Sequence, residues 1–140
     1  MQVFIVGSPL ETAKALDPKR LNRQIQETKV ILAALHGAKA WSNHPCVLQY
    51  RGYEEWLRGY LRVLECHRRG NTRLAAFFDV ETEQVRPDWH TYEYYDQMKR
   101  RLYTKDPGHY KQWAYLGESV ENWYFVDGEW RKYVNGKRVE

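Results

Sequence analysis

Three polar side chains fall at helical spacing near the start of the chain: Arg20, Arg23 and Glu27. Separations of three and four residues put them on one stripe of a helix. A carboxylate in that setting can steady a developing cation or pass a proton. The same trio also fits a solvated helix face carrying weak ion pairs. Arg101 and Lys105 stand four apart. They read either as a phosphate clamp or as a basic helix end favoured by the helix dipole. His44 sits in Asn43-His44-Pro45 as a DNA-contacting side chain or an ordered loop histidine. Trp41 and Tyr50 can stack on bases or fill the core. The five histidines are scattered, and the two cysteines, Cys46 and Cys66, make no metal-ligand pattern with them. No metal site and no disulfide framework are expected.

Those residues need elements to hold them. Ser8-Pro9-Leu10-Glu11 has the form of a helix start, and Asp17-Pro18 repeats it. A long helix is predicted from about Pro18 to Leu35, stopping at Gly37, with Leu21, Ile25, Leu32 and Leu35 on its apolar face. Trp41 to Pro45 reads as a loop. A second helix is predicted from about Tyr53 to Arg69, with Tyr53, Trp56, Leu57, Tyr60, Leu61 and Leu64 facing the core. Asn71 to Pro87 reads as irregular. A third helix is predicted from about Asp88 to Lys105, broken by Asp106-Pro107, with a helical turn around His109 to Trp113. Asp127-Gly128 between two aromatic runs predicts a hairpin, and Asn135-Gly136 a further turn. The fold class is thus mainly α: a compact single-domain bundle of three main helices with a C-terminal β-hairpin or small meander.

Composition sets the frame. The chain has 140 residues, 43% hydrophobic and 29% charged, enough for one domain with its own core. Aromatics reach 15%, with 6 Trp and 11 Tyr, and the net charge is +4. The charge modestly favours a polyanionic partner. No apolar run is long enough for a membrane span. Met1 to Gly7 reads as a buried segment with no export signal, so a cytoplasmic location is expected.

Three patches carry a family resemblance. Arg20-Leu21-Asn22-Arg23-Gln24-Ile25-Gln26-Glu27 is similar to the first long helix of the phage pyrimidine-dimer DNA glycosylases, called endonuclease V, and their small bacterial relatives. His44 and the run Glu65-Cys66-His67-Arg68-Arg69-Gly70 resemble that family's second helix and its preceding histidine. Arg101-Leu102-Tyr103-Thr104-Lys105 resembles a DNA-contacting stretch of its third helix. The resemblance spans residues 1–113, which it marks as an endonuclease V-like helical domain with 114–140 as a hairpin extension.

The resemblance implies a glycosylase with coupled abasic-site lyase activity on damaged duplex DNA, pyrimidine dimers included. The N-terminal α-amine would attack C1′ and form an imine, and Glu27 would assist that step and the β-elimination. An α-amine titrates near 7.7–8.0, so a useful fraction is nucleophilic at neutral pH. The implied catalytic set is Met1, Gln2 and Glu27. The implied DNA-facing set is Arg20, Arg23, Gln26, His44, Arg101 and Lys105. The expected partner is duplex DNA, without metal, cofactor or membrane, and the chain is expected to be a monomer.

The sequence departs from the phage pattern in two places. Gln2 is too large to favour removal of Met1, so the nucleophile would be the Met1 amine. Gln26 and Val30 stand where the phage enzyme has arginines, and Arg20 and Arg23 supply charge on the same face. The competing readings are a non-catalytic DNA-binding module of the same fold and an interaction domain built on the aromatic tail, Trp123 to Val134.

Overall fold

The computed structural model describes residues 1–117 and 121–139. Among them are six α-helices: α1 (Pro9–Ala15), α2 (Pro18–Leu35), α3 (Pro45–Gln49), α4 (Glu54–Arg68), α5 (Thr72–Glu83) and α6 (Tyr92–Lys105). A 3-10 helix (Lys111–Leu116) leads to a sheet of β1 (Glu121–Val126), β2 (Glu129–Val134) and β3 (Lys137–Arg138). The architecture is mainly α with a C-terminal antiparallel meander, as expected.

Local chemistry sets the helix starts. Ser8 closes a capping box with Glu11, and Asp17 caps α2 ahead of Pro18. These side chains satisfy backbone N–H groups that the first turn leaves free. The N-terminal segment is core: Val3, Phe4, Ile5 and Val6 are all buried. Its polar backbone is met by side chains, with Val6 N–H donating to Thr12 Oγ1 and the Tyr60 hydroxyl donating to Phe4 O. The central helix is α4. Its buried Trp56 stacks between Tyr50 and Tyr60, with ring centroids 5.6 and 4.9 Å away.

Four sequence-based element assignments need correction. Residues 72–83, read as irregular, form α5. Its apolar residues do not share one face: Ala75 is buried while Leu74, Phe77 and Val80 are exposed, so no clean period marks it. It crosses α4 at Gly59, where an added Cβ would lie 2.1 Å from Thr82 Oγ1. The third main helix begins at Tyr92 and not Asp88, because Thr91 supplies the cap, its side chain accepting from Tyr94 N–H. The loop through Pro45 continues directly into α3, capped by His44 Nδ1 accepting from Cys46 N–H at 3.1 Å. The turn after Pro107 is the 3-10 helix, shifted to Lys111–Leu116.

The sheet is built as its turn residues demand. Asp127 and Gly128 have φ of 53° and 80°, and Asn135 and Gly136 have 52° and 78°. These left-handed pairs match the twist of tight hairpins. The sheet docks on α6 through Gln97, whose side chain both donates to and accepts from the backbone of Trp123, at 2.9 and 2.8 Å. Trp130 packs against Trp89 and Tyr94.

Candidate active site

Helix α2 sorts its polar residues by facing. Leu21, Gln24, Ile25 and Thr28 point inward and are buried, while Arg23 and Gln26 are exposed. Arg20, Arg23, Gln24 and Glu27 line a cleft of about 380 Å³, together with Met1, Gln2, Phe4, Lys19 and Lys105. Four cations thus surround one carboxylate and the start of the chain. Two arms bring these residues together: α2 from one side, and the end of α6 with Lys105 from the other.

Gln24 holds the cleft's geometry. Only 1% of it is accessible. Its Oε1 accepts from Phe4 N–H at 3.0 Å and from the Tyr60 hydroxyl at 2.9 Å. Its Nε2 donates to Gln2 O at 2.8 Å and to Glu27 Oε2 at 3.3 Å. One buried amide therefore fixes the first residues of the chain relative to the carboxylate. Glu27 also pairs with Arg23, Nε to Oε1, at 3.6 Å.

A second cleft, of about 510 Å³, is also lined by Met1 and Gln2. His44, Cys46 and Arg101 line it with Tyr94, Trp123 and Tyr124. Arg101 donates from Nη1 to Gln2 Oε1 at 3.0 Å, and its guanidinium lies 4.7 Å from the centre of the Tyr124 ring. Burial lowers the His44 pKa, the N-terminal amine's positive charge lowers it further, and Glu27 raises it. The amine, His44 and Glu27 therefore share one electrostatic neighbourhood. Nδ1 of His44 is taken up by the Cys46 N–H, so the neutral ring carries its proton on Nε2 and offers a donor. Burial pushes the Cys46 thiol up to about 12, which leaves it no thiolate character.

Of the sequence-predicted residues, Met1, Gln2, Arg20, Arg23, Glu27 and Lys105 share the first cleft, and Gln2, His44 and Arg101 meet across the second. Gln26 is exposed on α2 and lines neither. Arg20 is partly committed elsewhere, to Asp17 at 3.2 Å, Asp106 at 3.7 Å and the face of Tyr110. Trp41 is 56% exposed, whereas Tyr50 is wholly core. Sequence reasoning missed Gln24, Lys19 and the Tyr60 hydroxyl. Gln24 left a signal, since it is a polar residue at a core-facing position of α2. Among the described residues, no group of three or more His, Cys, Asp or Glu is gathered to hold a metal ion. No helix among them is long and apolar enough to cross a membrane.

A family model described as pyrimidine dimer DNA glycosylase matches residues 1–77, more than half of the chain. The chain belongs to the pyrimidine dimer DNA glycosylase family. Membership makes it a DNA-repair glycosylase whose substrate is DNA. No curated protein and no solved structure matches it. The family match takes in the N-terminal segment, α1 to α4 and half of α5. It includes Met1, Gln2, Arg20, Arg23, Gln24, Glu27 and His44. Arg101, Lys105 and the aromatic sheet of this glycosylase lie beyond it.

Proposed function

We propose that this glycosylase couples base removal to strand cleavage, using the α-amine of Met1 as nucleophile and Glu27 as the catalytic carboxylate. The observation that carries the reading is the shared cleft of Met1 and Glu27, ringed by Lys19, Arg20, Arg23 and Lys105. Glu27 steadies the positive charge that develops at C1′ and takes up the proton the amine releases. The resulting imine makes the C2′ proton acidic, and its removal expels the 3′ phosphate. Lys19, Arg23 and Lys105 hold the backbone phosphates. Arg20 and Arg101 brace the site, Gln26 contacts the backbone from the exposed face of α2, and His44 donates to an oxygen of the extruded nucleotide. Duplex DNA carrying pyrimidine dimers, with the damaged region extruded from the stack, is the proposed substrate.

The test is borohydride trapping on duplex DNA carrying an abasic site. Wild-type protein should form a covalent adduct. Glu27→Gln and protein acetylated at its N-terminus should form little. Salt-sensitive binding with no adduct in any sample would replace this reading with a non-catalytic DNA-binding module.

A further inference from the structure

The second cleft shares three walls, Tyr94, Trp123 and Trp130, with a pocket of about 380 Å³ whose other walls are Trp89, Thr91 and Glu93. The rings stand at steep angles: Trp89 to Tyr94 at 85°, Tyr94 to Trp130 at 83°, and Trp89 to Trp130 at 49°. The pocket therefore meets ring faces as well as ring edges. Among the described residues Glu93, exposed on the first turn of α6, is the one charged side chain that lines it. The first cleft, by contrast, sets four cations against Glu27. The two spaces sort ligands by charge. Phosphates suit the basic one. Electron-rich rings with a carboxylate suit a flat cation, because ring faces attract positive charge beyond ordinary stacking.

DNA supplies such a cation when a purine is alkylated on a ring nitrogen. We propose that the Trp89–Trp130 pocket receives an everted N-alkylated purine, so that this glycosylase also excises cationic alkylated purines. The inference rests on the amine mechanism proposed above. In the step, the lone pair of the Met1 nitrogen forms the N–C1′ bond as the C1′–N9 bond breaks. The bonding pair of C1′–N9 returns to the purine ring and cancels its positive charge, so the base leaves neutral and needs no proton. The amine's proton passes to Glu27, and O4′ then takes it as the sugar opens to the iminium.

The experiment uses duplex DNA methylated with dimethyl sulfate, and duplex DNA with a preformed abasic site. The proteins are wild type, Glu93→Gln and Glu93→Lys. Wild type should release methylated purines, Glu93→Gln about tenfold more slowly, and Glu93→Lys more slowly still. All three should trap equally on the abasic duplex, where no base is left to bind. At mildly acidic pH, 7-methylguanosine should quench wild-type tryptophan fluorescence more than guanosine does, and Glu93→Lys should remove the difference. Trapping without release of methylated purines would overturn this inference and leave the amine mechanism standing. Release that is unchanged in Glu93→Lys would overturn it too. Failure of wild type in both assays would remove the amine mechanism and this inference together.

Discussion

Gln24→Glu tests whether Gln24 positions the start of the chain against Glu27. The substitution keeps Oε1, so the Phe4 N–H and the Tyr60 hydroxyl keep their acceptor. It replaces the Nε2 donor with an oxygen aimed at Gln2 O, 2.8 Å away, and at Glu27 Oε2, 3.3 Å away. Two attractions become two repulsions. The start of the chain is pushed off its place, and misplacement on the scale of about 1 Å costs on the order of a hundredfold in rate. Single-turnover borohydride trapping should show a rate about a hundredfold down. Gln24→Leu removes the acceptor as well and strands the buried Phe4 N–H, which costs roughly 1–3 kcal/mol of stability. The Tyr60 hydroxyl can still donate to Phe4 O at 2.8 Å, so its loss is small. Comparing the two variants by thermal melting and trapping tells a positioning role from a structural one. A wild-type rate in a folded Gln24→Glu protein would refute the reasoning.

Other outcomes follow from the same geometry. Gly59→Ala should destabilise by about 2 kcal/mol in denaturant titration, since overpacking of up to roughly 3 kcal/mol against Thr82 outweighs a helix gain of about 1; Thr82→Ala should restore part of it. Burial, helped by the Arg86 charge, pushes the His90 pKa down to about 3. The unfolded imidazole gains its proton near pH 6.5 while the folded one does not, so stability should fall by about 2 kcal/mol on going from neutral pH to 5. His90→Gln should flatten that slope in pH-dependent melting. Lys105→Ala should lower the slope of log binding constant against log salt by about 0.9. Arg101→Met should slow trapping about tenfold and leave the slope unchanged, because its guanidinium is engaged with Gln2 and Tyr124.

Much of this was legible in the sequence where local chemistry decides. Ser8, Asp17, Gly70 and the Asp127-Gly128 pair announce their caps and turns, and the structure follows them. The polar stripe of Arg20, Arg23 and Glu27 was equally plain, because helical spacing is a local property. What failed was tertiary. The α5 helix hides because Gly59 lets it press against α4 through Thr82, leaving apolar side chains in solvent. Gln24 hides because its partners, Gln2, Phe4 and Tyr60, lie far from it in sequence. The charge contrast between the first cleft and the Trp89–Trp130 pocket depends on where α6 meets the sheet, which no spacing rule encodes.

The link between Arg101 and Gln2 bears on the role proposed for the terminal amine. Arg101 holds the Gln2 amide oxygen, and Gln24 holds the Gln2 carbonyl. If Met1 were removed, Gln2 would carry the terminal amine. A terminal glutamine can close on itself: its nitrogen attacks its own side-chain carbonyl, ammonia leaves, and a lactam with no basic amine remains. On the proposed amine mechanism, trimming by a single residue would then leave the cleft beside Glu27 without a nucleophile.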